Sequence, residues 1–237
     1  MNRIQIKTES KNILNNHFPF FLLMFLPVFI IEALSGIGNY RVSKSMSHLG
    51  YNLTTQNVAS YSNYSMAINI FSMVSALLLI GIMFVCIDSH RGNNDYQNPL
   101  QQGFTIVKSG QYFLGSIVIS ILTMVYTILW TFLLIIPGII KSFSYSQAIY
   151  IYRDAIDRGE LMGYNEAITK SRELMDGHKM DYFVLQLSFI GWFIFSILLI
   201  GIPFIWVQPY YYLTMANFYN KLVSEDTRQE NTEEKAA

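Results

Sequence analysis

Residues Tyr112–Ile140 read YFLGSIVISILTMVYTILWTFLLIIPGII, twenty-nine residues without a single Asp, Glu, Lys or Arg. As one helix this stretch would be roughly 43 Å long, well beyond a bilayer hydrocarbon core of about 30 Å. Pro137-Gly138 falls near its end. Proline removes a helix hydrogen bond and clashes with the preceding turn, and Pro-Gly is a turn signal. The stretch therefore reads as a hairpin, with spans expected at about 112–136 and 138–153.

The same reading extends in both directions. Tyr182–Asn220 carries no charge and is interrupted by Gly201-Ile202-Pro203-Phe204, which gives expected spans at 182–202 and 204–220. Upstream, 18–38 and 66–88 are each long and apolar enough for one span. The expected fold class is all-α: a polytopic transmembrane bundle of six helices arranged as three hairpins. Pro137, Gly138, Gly201 and Pro203 form the hairpin elbows. A single integral membrane domain covers 1–223. The Ser/Asn/Tyr-rich segment Asn39–Ser65 is expected as an outside loop. Ser224–Ala237, with five acids and no apolar run, is expected as a disordered cytoplasmic tail.

Composition agrees with this class. Of 237 residues, 52% are hydrophobic and only 14% charged, where a soluble domain carries about 25% charged residues. Sixteen basic residues balance sixteen acidic ones, so there is no electrostatic footprint for nucleic acid. The lone Cys86 rules out an internal disulfide and a cysteine-based metal site.

Charge placement orients the hairpins. With the N-terminus inside, the cytoplasmic segments hold Arg3, Lys7, Lys11, Arg91, Lys108, Arg153, Arg158, Lys170, Arg172, Lys179, Lys221, Arg228 and Lys235. The outside holds only Arg41, Lys44 and Lys141. Lys/Arg excess marks the cytoplasmic side, which places both termini in the cytoplasm.

An internal repeat runs alongside. Asn15-Asn16-His17, Ser109-Gly110-Gln111 and Asp176-Gly177-His178 each precede the first span of a hairpin. Each follows an amphipathic segment read as an interfacial elbow helix. The clearest is Tyr164–His178, with Ala167, Ile168, Ser171, Leu174 and Met175 on one face and Gly177 placed as a C-cap glycine.

These residues also carry a family resemblance. One part is Ile135-Ile136-Pro137-Gly138-Ile139-Ile140-Lys141 followed by Tyr145-Ser146 and Ala148. The other is Ala167…Ser171…Met175-Asp176-Gly177-His178-Lys179, Leu187-Ser188-Phe189-Ile190-Gly191-Trp192, Pro209-Tyr210 and Phe218-Tyr219. Together they resemble the bacterial integral-membrane family of domain of unknown function 975, most strongly from Leu133 to Leu222. Arg153–Gly163 is longer and more charged than the pattern. The family is distantly similar to the membrane domain attached to some glycerophosphodiester phosphodiesterases, which is not their catalytic part. The resemblance implies a multi-span protein of the bacterial cytoplasmic membrane and supplies no catalytic residue.

The chemistry in the sequence is sparse. There is no His-Glu-x-x-His, nucleophile elbow, phosphate loop or dinucleotide fingerprint. No catalytic residue, metal or cofactor is expected. Glu32, deep in the first span, is a functional candidate because intramembrane acids are rare; its alternative is a reach to the headgroups. Lys141 is either an interface anchor or a counter-ion, the nearest by depth to Glu32. His178, like His17, reads as a polar cap at the membrane surface. The expected function is a non-enzymatic membrane module, namely a scaffold, an accessory factor, or a factor acting on lipids or on other membrane proteins, itself included. The alternative is a small transporter or channel built on the proline-interrupted hairpins.

Overall fold

The computed structural model describes residues 2–49 and 55–236, and among them every regular element is helical. In chain order these are α1 (Arg3–Asn16), α2 (Phe18–Leu49), α3 (Thr55–Arg91), α4 (Pro99–Gly103) with the 3₁₀ turn Thr105–Val107, α5 (Gly110–Leu133), α6 (Ile135–Tyr145), α7 (Ala148–Asp157), α8 (Tyr164–Leu174), α9 (Lys179–Leu198) and α10 (Phe204–Ala236). Four segments are long and apolar enough to cross a membrane: Phe18–Arg41, Ser62–Arg91, Gly110–Leu133 and Lys179–Leu198.

α5 and α6 form a hairpin whose turn lies at Leu134, three residues before the expected elbow Pro137-Gly138. Leu134 leaves helical geometry (φ −160°, ψ 137°) and α6 starts at the next residue. Pro137 is then in the first turn of α6, where a missing N–H leaves no helix bond unmade. The return arm runs antiparallel to α5 along its whole length. Gly138 faces Thr131, Tyr126 stacks 6.1 Å from Tyr145, Gly115 faces Tyr152, and the Tyr112 hydroxyl donates to Asp157. The arm is not one helix, however: the expected span 138–153 is broken at Ser146–Gln147. Ser171 of α8 causes the break. Its hydroxyl donates to the Ser144 carbonyl (2.7 Å) and accepts the Gln147 N–H (3.2 Å), inserting into the helix ladder.

The second hairpin turns at Leu199–Pro203, with Gly201 at φ +82°, a region glycine enters at little steric cost. Its arms pair through Phe193–Phe204, Trp192–Trp206, Phe189–Tyr210 and Tyr182–Phe218. The return arm is the start of α10, whose Gln, Asn and Tyr content keeps it outside the four most apolar segments. Among the described residues the bundle therefore holds four apolar candidate spans, beside a broken α6–α7 arm and the return arm at the start of α10.

Two further expectations differ from the structure. The supposed loop Asn39–Ser65 is helical up to Leu49 and again from Thr55; residues 50–54 of that expectation lie outside the described residues. No proline and no glycine before Gly50 interrupts it, and α2 and α3 pair closely, with Gly38 against Ile68. Tertiary pairing outweighs the weak propensity of Ser and Asn. The tail expected as disordered from Ser224 continues α10 to Ala236. Its Glu, Gln, Lys and Arg residues are good helix formers, and propagating an existing helix needs no new nucleus.

The repeat organises the rest. His17, Ser109 and His178 are each the residue immediately before a long helix. Each elbow lies against the preceding hairpin: α4 on α2 and α3, α8 on α5–α7, and α1 on α10, which closes the ring. The core is concentrated at this elbow end, in Phe21, Met24 and Phe25 of α2, Ile82–Ile87 of α3, and Leu213–Leu222 of α10. The tips of the α5–α6 and α9–α10 hairpins are apolar and exposed, Phe132 to 91% and Ile200 to 94%, as befits lipid-facing surface.

Candidate functional site

The polar groups of the bundle gather where the ends of α3 and α7 meet the middle of α10. Arg153 of α7 is 7% exposed. Its Nη2 donates to both oxygens of Asp88 on α3, at 2.8 and 2.6 Å. Its Nε lies 2.8 Å from Asp157 and its Nη1 3.4 Å from Asp154. Asp154 in turn accepts a bidentate pair from Arg91 of α3 (3.0 and 2.7 Å) and the Tyr219 hydroxyl of α10 (2.7 Å). Arg91 Nε also donates to Asn220, whose amide donates to the Ile87 carbonyl. Fork-on-carboxylate geometry makes these among the stronger hydrogen bonds available. Two guanidiniums thus share three carboxylates, and each guanidinium lies over a ring: Arg153 over Phe84 (5.5 Å) and Arg91 over Tyr219 (5.8 Å).

A second polar seam docks α1 beside it. Asn217 Nδ2 donates to the Ile6 carbonyl (3.1 Å) and to Glu9 (2.8 Å), and Lys221 donates to Glu9 (3.0 Å). Burial alone would raise the Glu9 carboxyl, but hydrogen bonds from Asn217, Lys221 and Gln5, with the Lys221 charge, hold it below the ordinary glutamate range. His90 Nε2 faces the Leu213 carbonyl at 3.0 Å and Ser10 at 3.3 Å. Two adjoining clefts open here, one lined by Glu9, Asn217 and Lys221, the other by Arg91, Asp157 and Arg158, sharing His90 and Asn220.

The residues singled out from sequence lie elsewhere. Glu32 is near the tips and accepts one hydrogen bond, from Gln208 of α10 at 3.4 Å. Lys141 does not neutralise it; its ammonium sits over the Trp130 ring at 4.7 Å, within its own hairpin. His178 is 3.9 Å from Glu225, and His17 stacks on Tyr96 with centroids 3.6 Å apart. Gly177 has φ +77°, as a helix-ending glycine should. Asp88 looked like a mere span boundary and Arg153 like one more cytoplasmic basic residue. The available signal was spacing: Asp88/Arg91 and Arg153/Asp157 place opposite charges on one helix face at two span ends.

Four apolar helices and a charge cluster confined to one end define a helical membrane protein. Residues 132–226, from the α5–α6 turn into α10, match the family described as Protein of unknown function (DUF975). The matched segment contains Arg153, Asp154, Tyr219 and Asn220, while Asp88 and Arg91 lie before it. No curated protein and no solved structure matches the chain.

Proposed function

We propose that the chain is a non-enzymatic module of the bacterial cytoplasmic membrane, acting on lipids or on other membrane proteins through its elbow layer. Both termini and all three elbow helices then face the cytoplasm. The observation that supports this reading is the placement of polar groups. The Arg91–Asp154 and Arg153–Asp88 pairs are spent on each other and tie helices together. The tips of the α5–α6 and α9–α10 hairpins, by contrast, are apolar. Such a body is built to hold a shape in the bilayer.

A second reading, a small transporter, is favoured by Glu32 with Gln208 and by the prolines at both turns. Flux across vesicles reconstituted with the protein separates the two. The module leaves Na⁺, K⁺ and H⁺ movement at the level of empty vesicles, and Glu32→Gln changes nothing. Flux that disappears in Glu32→Gln would replace the module by the transporter.

Orientation is checked in intact cells. Leu161, 99% exposed in the loop after α7, becomes a labelling site as Leu161→Cys in a Cys86→Ser background. An impermeant maleimide should modify it in inverted vesicles and leave it untouched in whole cells. Modification from outside would invert the whole topology.

A further inference from the structure

We infer that α5–α8 form a rigid body that pivots on the Arg153–Asp88 and Arg91–Asp154 pairs, so that its Pro137 tip swings relative to the rest of the bundle. The first ground is that this body has its own core. Ile119, Tyr145, Ala148, Tyr152, Ala167 and Ile168 form a cluster of their own, while Ile151 of α7 joins the larger cluster of α1, α2, α3, α9 and α10 near the Arg153 pairs. Internally it is tight, with Gly115 against Tyr152, Gly138 against Thr131, and Ser171 bonded into the α6–α7 break.

The second ground is where this body meets the remainder. The chain passes between the two at Lys108–Ser109 and at Met175–His178, both at the elbow end. The ion pairs are at that end as well. The aromatic contacts agree: Phe84 lies 5.8 Å from Tyr112, and Tyr150 lies 5.5 Å from Tyr219. α6 reaches α9 through Phe143, which sits 5.8 Å from both Tyr182 and Phe183 in the first turn of α9. Beyond these points Ile128, Leu129 and Phe132 of α5 and Ile194, Ile197 and Leu198 of α9 are exposed.

Connections confined to one end, with two compact bodies beyond it, are the mechanical requirements of a hinge. The join combines the guanidinium–carboxylate pairs with ring contacts and with Ile151 of α7, so the pivot point is packed as well as paired while the tips are not. The swing opens a gap between the tips that faces the bilayer sideways. This step rests on the module reading only for its consequence; the hinge itself stands on the packing.

Spin-label distance distributions in lipid nanodiscs test it. One pair joins the tips, Phe132→Cys with Ile200→Cys; the control pair joins the elbow ends, Ile4→Cys with Leu161→Cys. All four positions are at least 80% exposed and Cys86 is buried. The tip pair should give a distribution at least twice as broad as the control, or two resolved distances. Asp88→Asn, which removes the charge paired with Arg153, should shift the tip distribution toward longer distances and leave the control narrow. Tyr219→Phe, a milder change that removes only the hydroxyl bond from α10 to Asp154, should shift it the same way should Asp88→Asn not fold. A tip distribution as narrow as the control, unmoved by either substitution, overturns the hinge. That outcome leaves the flux and labelling results untouched, so the two readings fail separately.

Discussion

Arg153→Ala should lower the unfolding temperature of the detergent-solubilised protein by about 10 °C. The substitution removes the partner of Asp88 and Asp157 and half the neutralisation of Asp154, in a site where Arg153 is 7% exposed. Breaking a buried pair by deleting one member costs about 3–5 kcal/mol, because the other charge is left uncompensated. For a chain of this size each kcal/mol corresponds to about 2–4 °C. Arg153→Lys should rescue little: one ammonium cannot serve three carboxylates lying in different directions from the guanidinium plane. The double variant Arg153→Met with Asp88→Asn should be more stable than Arg153→Ala, since it removes charge from both sides. A loss below about 2 °C in Arg153→Ala would show that water, and not Arg153, solvates these acids.

The fold was legible wherever a local signal and a length limit coincided. Tyr112–Ile140 was too long for one span, Pro137-Gly138 supplied the turn, and the chain turns at Leu134 just before them. Tyr182–Asn220 with Gly201 and Pro203 worked the same way, because Gly201 at φ +82° is a local requirement. His17, Ser109 and His178 were found because each repeats one position, the junction between an amphipathic helix and an apolar one.

What escaped the sequence depends on distant partners. Nothing local in 138–153 marks the break at Ser146–Gln147; its cause is Ser171, twenty-four residues on. The extension of α2 to Leu49 and of α3 back to Thr55 comes from each helix having the other beside it. The same limit hid the charge cluster. Asp88 is a boundary residue until Arg153 is known to stand 2.6 Å away, sixty-five positions later. Glu32 attracted notice because a lone acid in an apolar run is a one-residue signal, whereas a network is a property of the assembled hairpins.

Gly138→Ala should separate α5 from the α6–α7 arm and cost about 1–3 kcal/mol, the usual range for forcing extra atoms into a packed contact. A Cβ on Gly138 would stand 2.8 Å from the Cα and 2.9 Å from the Cβ of Thr131, and closer still to its hydroxyl. The α5 backbone cannot rotate out of the way as a side-chain end could, so one helix must move. The hairpin is turned by a single extended residue, Leu134, which leaves little loop to absorb the shift. Thr131→Ala in the same chain removes the hydroxyl but not the backbone clash, so it should recover only part of the loss. Gly191→Ala is the control: it lies within α9 with nothing within 4 Å of the added carbon. There the better helix propensity of alanine, about 1 kcal/mol, should make the substitution neutral or stabilising. If Gly138→Ala and Gly191→Ala unfold at the same temperature, the close approach of α5 and α6 at the Pro137 turn is not what holds this hairpin shut.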